Sequence, residues 1–414
     1  MRQSELFTQP RREAPADEVA TNAKLLVRAG FIHKEMAGVY SFLPLGWRVL
    51  QKLENLIRQE ILTLGAQEIL MPALQPKENW QTTGRWDKMT DLYKLRDRSE
   101  RELALGPTHE EIITPLVKNY LNSYQDLPLS VFQFQTKFRM EPRAKSGLLR
   151  GREFLMKDLY SFHRDETDLQ HFYDLVTVAY KRIFEILGLT EKTYLTLAAG
   201  GTFAEFSHEF QVLTPAGEDS IRLCKSCHLA VNEEIFDRKN NCPGCGTQKL
   251  ESETAIEVAN IFKLGTNFSQ VFNLTYRDET GVNQPMIMGC YGLGVSRLMG
   301  ALVEILSDER GLVWPEAAAP FPIHLLSLGL ADGPAARAAG PLYERLIKLG
   351  REVFWDDRRE ISAGEKFAAA DLVGLPYQAI ISDKTLAAGK IELIKRSTGE
   401  KSFLTEDELC AWLG

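Results

Sequence analysis

The stretch that most limits what this chain can fold into is 129–158, LSVFQFQTKFRMEPRAKSGLLRGREFLMKD, because its apolar residues recur every second position. Phe132, Phe134, Thr136 and Phe138 fall on one side, and Gln133, Gln135, Lys137, Arg139 and Glu141 on the other. After the turn-forming PRAKSG, the positions Arg150, Arg152, Phe154, Met156 and Asp158 again share one side. The pattern predicts an antiparallel hairpin with one apolar face and one polar face. Arginines and carboxylates that alternate this regularly with aromatic residues are not a solvated charge run. They form a surface built to hold something.

Around the hairpin the periodicity changes to that of helices. Leu50, Leu53, Ile57, Ile61 and Leu64 predict a helix over about 45–64, ended by Gly65 and followed by the strand QEILMP at 67–72. A second helix is expected over about 110–124, and a long amphipathic one over about 166–187. At 311–322 the sequence GLVWPEAAAPFP reads as a linker. Beyond it, IHLLSL, a helix near 335–349, REVFWDD, a short helix and YQAIISD predict a small α/β unit. The expected class is therefore α+β: an antiparallel body and a compact α/β tail.

A length of 414 residues leaves room for two or three domains. No run of about 20 apolar residues is present, which argues against a membrane span. The first fifteen residues lack the apolar segment of a secretory signal, so a cytoplasmic location is expected. The net charge of −7 argues against indiscriminate coating of nucleic acid but leaves a localised basic site open. Four of the six cysteines, Cys224, Cys227, Cys242 and Cys245, form two Cys-x-x-Cys pairs fourteen residues apart. That is the spacing of a zinc ribbon, with Gly244 and Gly246 allowing tight turns around the sulfurs. Four thiolates close the coordination shell, so the expected Zn2+ is structural; a redox pair is the alternative reading.

FRMEPR followed by RGREFLMKD resembles motif 2 of the class II aminoacyl-tRNA synthetases. LGAQEILMP resembles motif 1, whose helix, strand and final proline (Pro72) build a dimer interface. GCYGLGVSRLMGALVE, from Gly289, resembles motif 3. The resemblance implies the class II antiparallel sheet flanked by helices and a site for ATP with Mg2+. It gives Arg139 the α-phosphate, Glu141 the adenine amino group, Arg150 the γ-phosphate side and Phe154 the adenine face. Arg297 then covers adenine and γ-phosphate. The residue types match these roles, since a guanidinium fork suits phosphate, a carboxylate an amino group, and an aromatic face a purine. A glycine-rich dinucleotide loop is the competing reading of motif 3, but no βαβ unit surrounds it.

LGPTHEEIITPLVKN at 105–119 resembles the Thr-x-Glu loop of the prolyl branch, in which Thr108 and Glu110 bind the secondary ammonium of L-proline. The same two residues would also serve as the N-cap and first-turn acid of a helix. LVRAGFIHKEMAGVYSFLPLGWRVL, MPALQPKENWQTTGRW and SHEFQVL extend the resemblance to bacterial-type prolyl enzymes over nearly the whole chain. It implies that His208 lies at the proline pocket and that Arg139 also reaches the substrate carboxylate. DDRREISAGEKFAAADLVGLP resembles the family's anticodon-binding domain. There Asp356, Arg358, Glu360, Lys366 and Phe367 become candidates for contacts with proline tRNA.

The implied organisation is a catalytic domain over 1–215 and 255–318, a zinc-ribbon-like insertion at 216–254 and an anticodon-binding domain at 319–414, assembled as a homodimer. The sequence departs from the bacterial pattern in having no room for a large editing insertion, and the loop AAGGTFAEF ahead of His208 is longer than expected. A related synthetase such as a threonyl enzyme and a non-catalytic tRNA-binding paralogue are the rival readings. The Thr108–Glu110 loop argues against the first, and the intact set of motif arginines against the second.

Overall fold

The computed structural model describes residues 1–201, 205–330 and 332–413; residues 202–204, in the long loop ahead of His208, lie outside it. The chain forms two compact units. One comprises Glu35–Tyr40 and Glu54–Ala301, the other Met1–Lys34, Ser41–Leu53 and Leu302–Gly414. No helix among the described residues is long and apolar enough to cross a membrane.

The first unit is built on a nine-stranded, mainly antiparallel sheet. Its strands are β1 (Gln67–Glu68), β2 (Leu129–Phe138), β3 (Glu153–His163), β4 (Thr193–Ala199), β5 (Phe206–Leu213), β6 (Asp219–Cys224), β7 (Leu229–Asn232), β8 (Glu251–Gly265) and β9 (Ile287–Gly294). They lie in the order β5-β4-β7-β6-β8-β9-β3-β2-β1. The period-two stretch forms the hairpin β2–β3, registered from Leu129 opposite Phe162 to Phe138 opposite Glu153. One sheet face is covered by the helix Glu166–Ile186, which Asp165 caps through the Asp168 N–H. Its buried Leu169, Phe172, Tyr173, Val176, Tyr180 and Ile183 follow helical spacing.

Two elements are shorter than expected, each for a visible reason. The strand predicted at 67–72 pairs regularly only at Gln67–Glu68. The Ile69 N–H still reaches the Phe132 carbonyl at 2.8 Å. Beyond that point side-chain amides take over: Gln133 accepts from the Met71 N–H at 2.9 Å, and Gln135 donates to the Met71 carbonyl. The helix expected to reach 124 spans Glu110–Val117. Asn119 donates to the Pro115 and Leu116 carbonyls at 3.1 and 3.3 Å, so a side chain satisfies groups that further helix would have bonded.

Residues 216–254, expected as an insertion, contribute β6 and β7 to the sheet itself. The fifteen-residue β8 pairs with β6 over its first half and with β5 over its second. Since β5 pairs with β4, β4 with β7 and β7 with β6, the five strands close into a ring. Tyr194, Ile221, Leu223, Ala230 and Ala255 form its apolar cluster. The four cysteines sit at the β6–β7 end of this ring.

The second unit holds a five-stranded sheet of β10 (Ile323–Ser327), β11 (Val353–Asp356), β12 (Tyr377–Ile381), β13 (Ile391–Lys395) and β14 (Lys401–Leu404), ordered β11-β10-β12-β13-β14. The first three are parallel and the last two antiparallel. The expected strands and helix are present. Beyond them the unit adds β13, β14 and the closing helix Glu406–Trp412, which were not expected. The helix Ala363–Val373 starts with a reciprocal Ser362–Glu365 capping box and ends at Gly374 in the left-handed region. A Cβ at Gly374 would sit 2.0 Å from the Leu312 carbonyl oxygen, so glycine is required twice over.

Candidate active site

A cavity of about 650 Å³ opens on the sheet face opposite the long helix. The alternation of β3 brings Met156, Asp158 and Tyr160 to it, and β2 brings Arg139. The loop before the helix Glu110–Val117 contributes Thr108 and Glu110, so the two candidate ammonium-binding residues and Arg139 line one space. His109, rather than Thr108, is the N-cap residue. The Thr108 hydroxyl instead donates to the Glu110 carboxylate. The other Glu110 oxygen accepts from the Cys290 thiol at 3.1 Å. Burial, with the Glu110 and Asp158 carboxylates nearby, pushes the Cys290 thiol well up, so it stays a neutral donor.

Beneath the cavity runs a buried polar chain. His109 bonds the Pro72 carbonyl through Nε2 at 3.1 Å and meets Lys137 Nζ through Nδ1 at 2.6 Å. Lys137 pairs with Asp158 at 2.8 Å, and Asp158 also accepts from Gln133 and Tyr160. Burial and the Lys137 charge lower His109 to about 4, so the ring is neutral: Nε2–H donates to Pro72 and Nδ1 accepts from Lys137. Burial alone would raise Asp158, but the adjoining Lys137 prevails and holds its carboxyl below the usual range. These contacts tie the proline closing motif 1 to the Thr-x-Glu loop and to the cavity floor.

At the other end of the cavity the ring strands supply acids. Glu209 on β5 and Glu257 on β8 both line the cavity. Burial and the Glu257 charge push Glu209 up to about 9. Glu257 accepts from Asn260 at 2.7 Å and lies 3.5 Å from Arg297, whose guanidinium also donates to the Glu257 carbonyl. Arg139 stacks over the Phe154 ring at 5.2 Å, and burial together with the nearby positive Arg297 lowers its pKa. Arg150 is engaged with Glu141 at 2.9 Å and with Glu218. Glu141, Phe154 and Arg297 therefore lie around Arg139, with Arg150 joined to them through Glu141, and none of the four lines the cavity itself. On β9 a Cβ at Gly292 would come within 2.8 Å of the Asn260 side chain, so the open floor depends on that glycine.

His208 lies elsewhere. Its Nδ1 meets the Tyr173 hydroxyl at 2.7 Å, on the face covered by the long helix, and its ring packs edge-on against Tyr173. The expected place at the proline pocket is not where this side chain points; its neighbour Glu209 faces the cavity. The reason is strand parity, since His208 shares its side with the buried Phe210 and Val212. Asp158, Tyr160, Glu209, Glu257 and Cys290 received no role from the sequence. Asp158 was placed on the correct face, and the same alternation extends to Tyr160.

Of the tail residues, Arg358 and Lys366 line a separate cavity of about 200 Å³ in the second unit. Asp356 is fully buried, with both oxygens bonded to Arg358, so it orients that arginine and has no oxygen to offer a base. Phe367 is half-buried and packs against the Leu326–Ala370–Ile380 cluster. Glu360 is exposed and does not line the cavity. The sulfurs of Cys224, Cys227, Cys242 and Cys245 all lie within 4.8 Å of one another, a donor set that fits one tetrahedral soft-metal ion.

The model of the tRNA synthetase class II core domain (G, H, P, S and T) matches residues 93–306, and that of an anticodon binding domain matches 332–414. A proline–tRNA ligase of Zymomonas mobilis is 39% identical, with 99% of this chain and 97% of that protein covered. One from Beijerinckia indica is 40% identical over 98% of each. A Geobacillus proline–tRNA ligase is 35% identical over 99% of this chain and 98% of its own length. Among solved structures, prolyl-tRNA synthetase of Cryptosporidium parvum complexed with L-proline and AMP has the same fold. Its TM-score is 0.75 at 18% identity, covering 95% of this chain and 73% of that one. With identities of this size over nearly its full length, the chain belongs to the proline–tRNA ligases, class II aminoacyl-tRNA synthetases.

Proposed function

We propose that this chain joins L-proline to ATP as prolyl-adenylate, passes the prolyl group to the 3′ end of proline tRNA, and works as a cytoplasmic homodimer. One observation carries the site assignment: Thr108, Glu110 and Arg139 line a single cavity, with Phe154 and Arg297 packed around Arg139. The Glu110 carboxylate and the Thr108 hydroxyl offer acceptors to the two N–H donors of a secondary ammonium. Arg139 then stands between the substrate carboxylate and the α-phosphate.

In the first step a proline carboxylate oxygen attacks the α-phosphorus in line, and the bond to the pyrophosphate oxygen breaks. No side chain acts as nucleophile; alignment and charge neutralisation by Arg139, Arg150 and Arg297 lower the barrier. In the second step a hydroxyl of the terminal tRNA ribose attacks the prolyl carbonyl and AMP leaves. Glu209 and Glu257 fit a Mg2+ ion, because two neighbouring acids, one held protonated by burial and by the charge of the other, can both become ligands once a divalent charge displaces that proton. That ion would neutralise the outer phosphates. The four cysteines would hold a structural Zn2+. The domain boundaries that go with this reading are 1–215 with 255–318, 216–254 and 319–414.

The test is proline-dependent pyrophosphate exchange by Arg139→Ala. Losing one aligned cation should lower the exchange rate by roughly 10²- to 10³-fold. Near-normal exchange by a folded variant would remove Arg139, and with it the site, from the chemistry.

A further inference from the structure

We infer that Arg2, from the opposite end of the sequence, forms part of the surface on which the C-terminal sheet domain holds RNA. The inference rests on reading that domain as the tRNA-binding one. Residues Met1–Ser4 run beside β11: the Trp355 N–H donates to the Met1 carbonyl at 3.0 Å, and Arg2 bridges to Trp355 in parallel. Gln3 is buried beneath them, with its side-chain oxygen 3.3 Å from His324 Nε2. The segment is thus an added edge of the five-stranded sheet.

This edge alters the wall of the 200 Å³ cavity in two ways. It adds the Arg2 guanidinium to a wall already holding Arg337, Arg358, Arg359 and Lys366. It also occupies one of the two acids on that wall, because Ser4 donates to both Asp357 oxygens, from its N–H at 2.9 Å and its hydroxyl at 2.6 Å; the other acid, Asp332, lies 4.0 Å from Arg359. Arg2 is held flat against Trp355 and Tyr343, at 5.3 and 5.6 Å from the ring centroids, and pairs with Glu344 at 2.8 Å. One guanidinium edge is fixed by that carboxylate, and the group as a whole borders the cavity. A fixed planar cation beside an indole, among further arginines, suits a single-stranded nucleotide. The phosphate takes the charge, and the base finds a planar surface.

The experiment measures binding of an RNA hairpin carrying the anticodon stem and loop of proline tRNA to the full chain, across a salt series. Arg2→Gln keeps a donor for Glu344 and removes the charge. It should weaken binding about tenfold at low salt and reduce the salt slope by about one. Arg358→Ala serves as the reference. If Arg358→Ala weakens binding and Arg2→Gln does not, the inference fails while the tRNA-binding reading stands. If neither variant has an effect, that reading fails and the inference goes with it. A loss in Arg2→Gln with an unchanged slope would assign Arg2 to holding the segment in place, and would also overturn the contact.

Discussion

Glu209 and Glu257, on neighbouring strands, set how the cavity responds to pH. Burial and the Glu257 charge raise Glu209 from 4.5 to about 9. Between those values the folded state keeps a proton that the unfolded state has lost. The associated stabilisation is complete below about pH 4.5 and disappears as pH climbs towards 9. Glu209→Gln mimics the protonated acid and cannot titrate. Its melting temperature should therefore fall less than that of the parent chain between about pH 5 and about pH 8.5; parallel curves would show that Glu209 is ionised throughout. A second prediction concerns Lys137, which has no exposed surface and pairs with the equally buried Asp158. Lys137→Met leaves that carboxylate bare and should cost about 3–5 kcal/mol in chemical denaturation. Adding Asp158→Asn should return part of the loss, since the interaction belongs to the pair. At this scale the sequence shows residue type and parity well. In SHEFQVL, Phe210 and Val212 mark the buried side, and counting back by twos puts His208 with them and Glu209 opposite. Resemblance singled out the histidine; alternation alone would have chosen the glutamate.

Among the elements, the hairpin β2–β3 and the long helix were legible because their signals are local: a period of two over ten residues, and a capped period of 3.6 over twenty-one. The ends of the helix Glu110–Val117 and of β1 were not, because they are decided by amide side chains, Asn119 in the first case and Gln133 with Gln135 in the second, that find backbone partners in three dimensions. Nor was the strand ring. It depends on β7 pairing with β4 and on β8 changing partner midway, which are contacts between segments far apart in sequence. The ring gives the cysteines a consequence for catalysis. Holding a metal ion, they would pin the β6–β7 turn, and the other ring strands carry Glu209 and Glu257 into the cavity. Cys227→Ser is expected to lower the bound zinc per chain, lower the melting temperature and slow proline-dependent pyrophosphate exchange together. Exchange that persists undiminished in zinc-free, folded protein would confine the cysteines to a local role.

At the scale of the whole chain, the α+β class followed from where the hydrophobic period switches, while Met1–Lys34 and Ser41–Leu53, expected with the first unit, group with Leu302–Gly414. The Geobacillus relative aligns over 560 positions and that of Zymomonas mobilis over 433, against 414 residues here. The Geobacillus relative therefore carries positions that have no counterpart in this chain. Between β5 and β8 the longest connection is the cysteine-bearing 233–250. No further domain stands there among the described residues. The physical consequence concerns alanine, which is smaller than proline by two methylenes and meets no steric barrier in a slot that admits the ring. Each missing methylene weakens binding by about 1–3 kcal/mol, so alanine should be activated at a kcat/KM roughly a hundredfold or more below that of proline, yet measurably. If the chain holds no hydrolytic site, alanyl-tRNA made in error depends on another protein for removal. The purified chain, incubated with alanyl-tRNA of the proline isoacceptor, should release alanine no faster than buffer does. Rapid release would mean that a hydrolytic site exists within the 414 residues, and its location would then have to be sought among the cavities the synthetic reaction does not use.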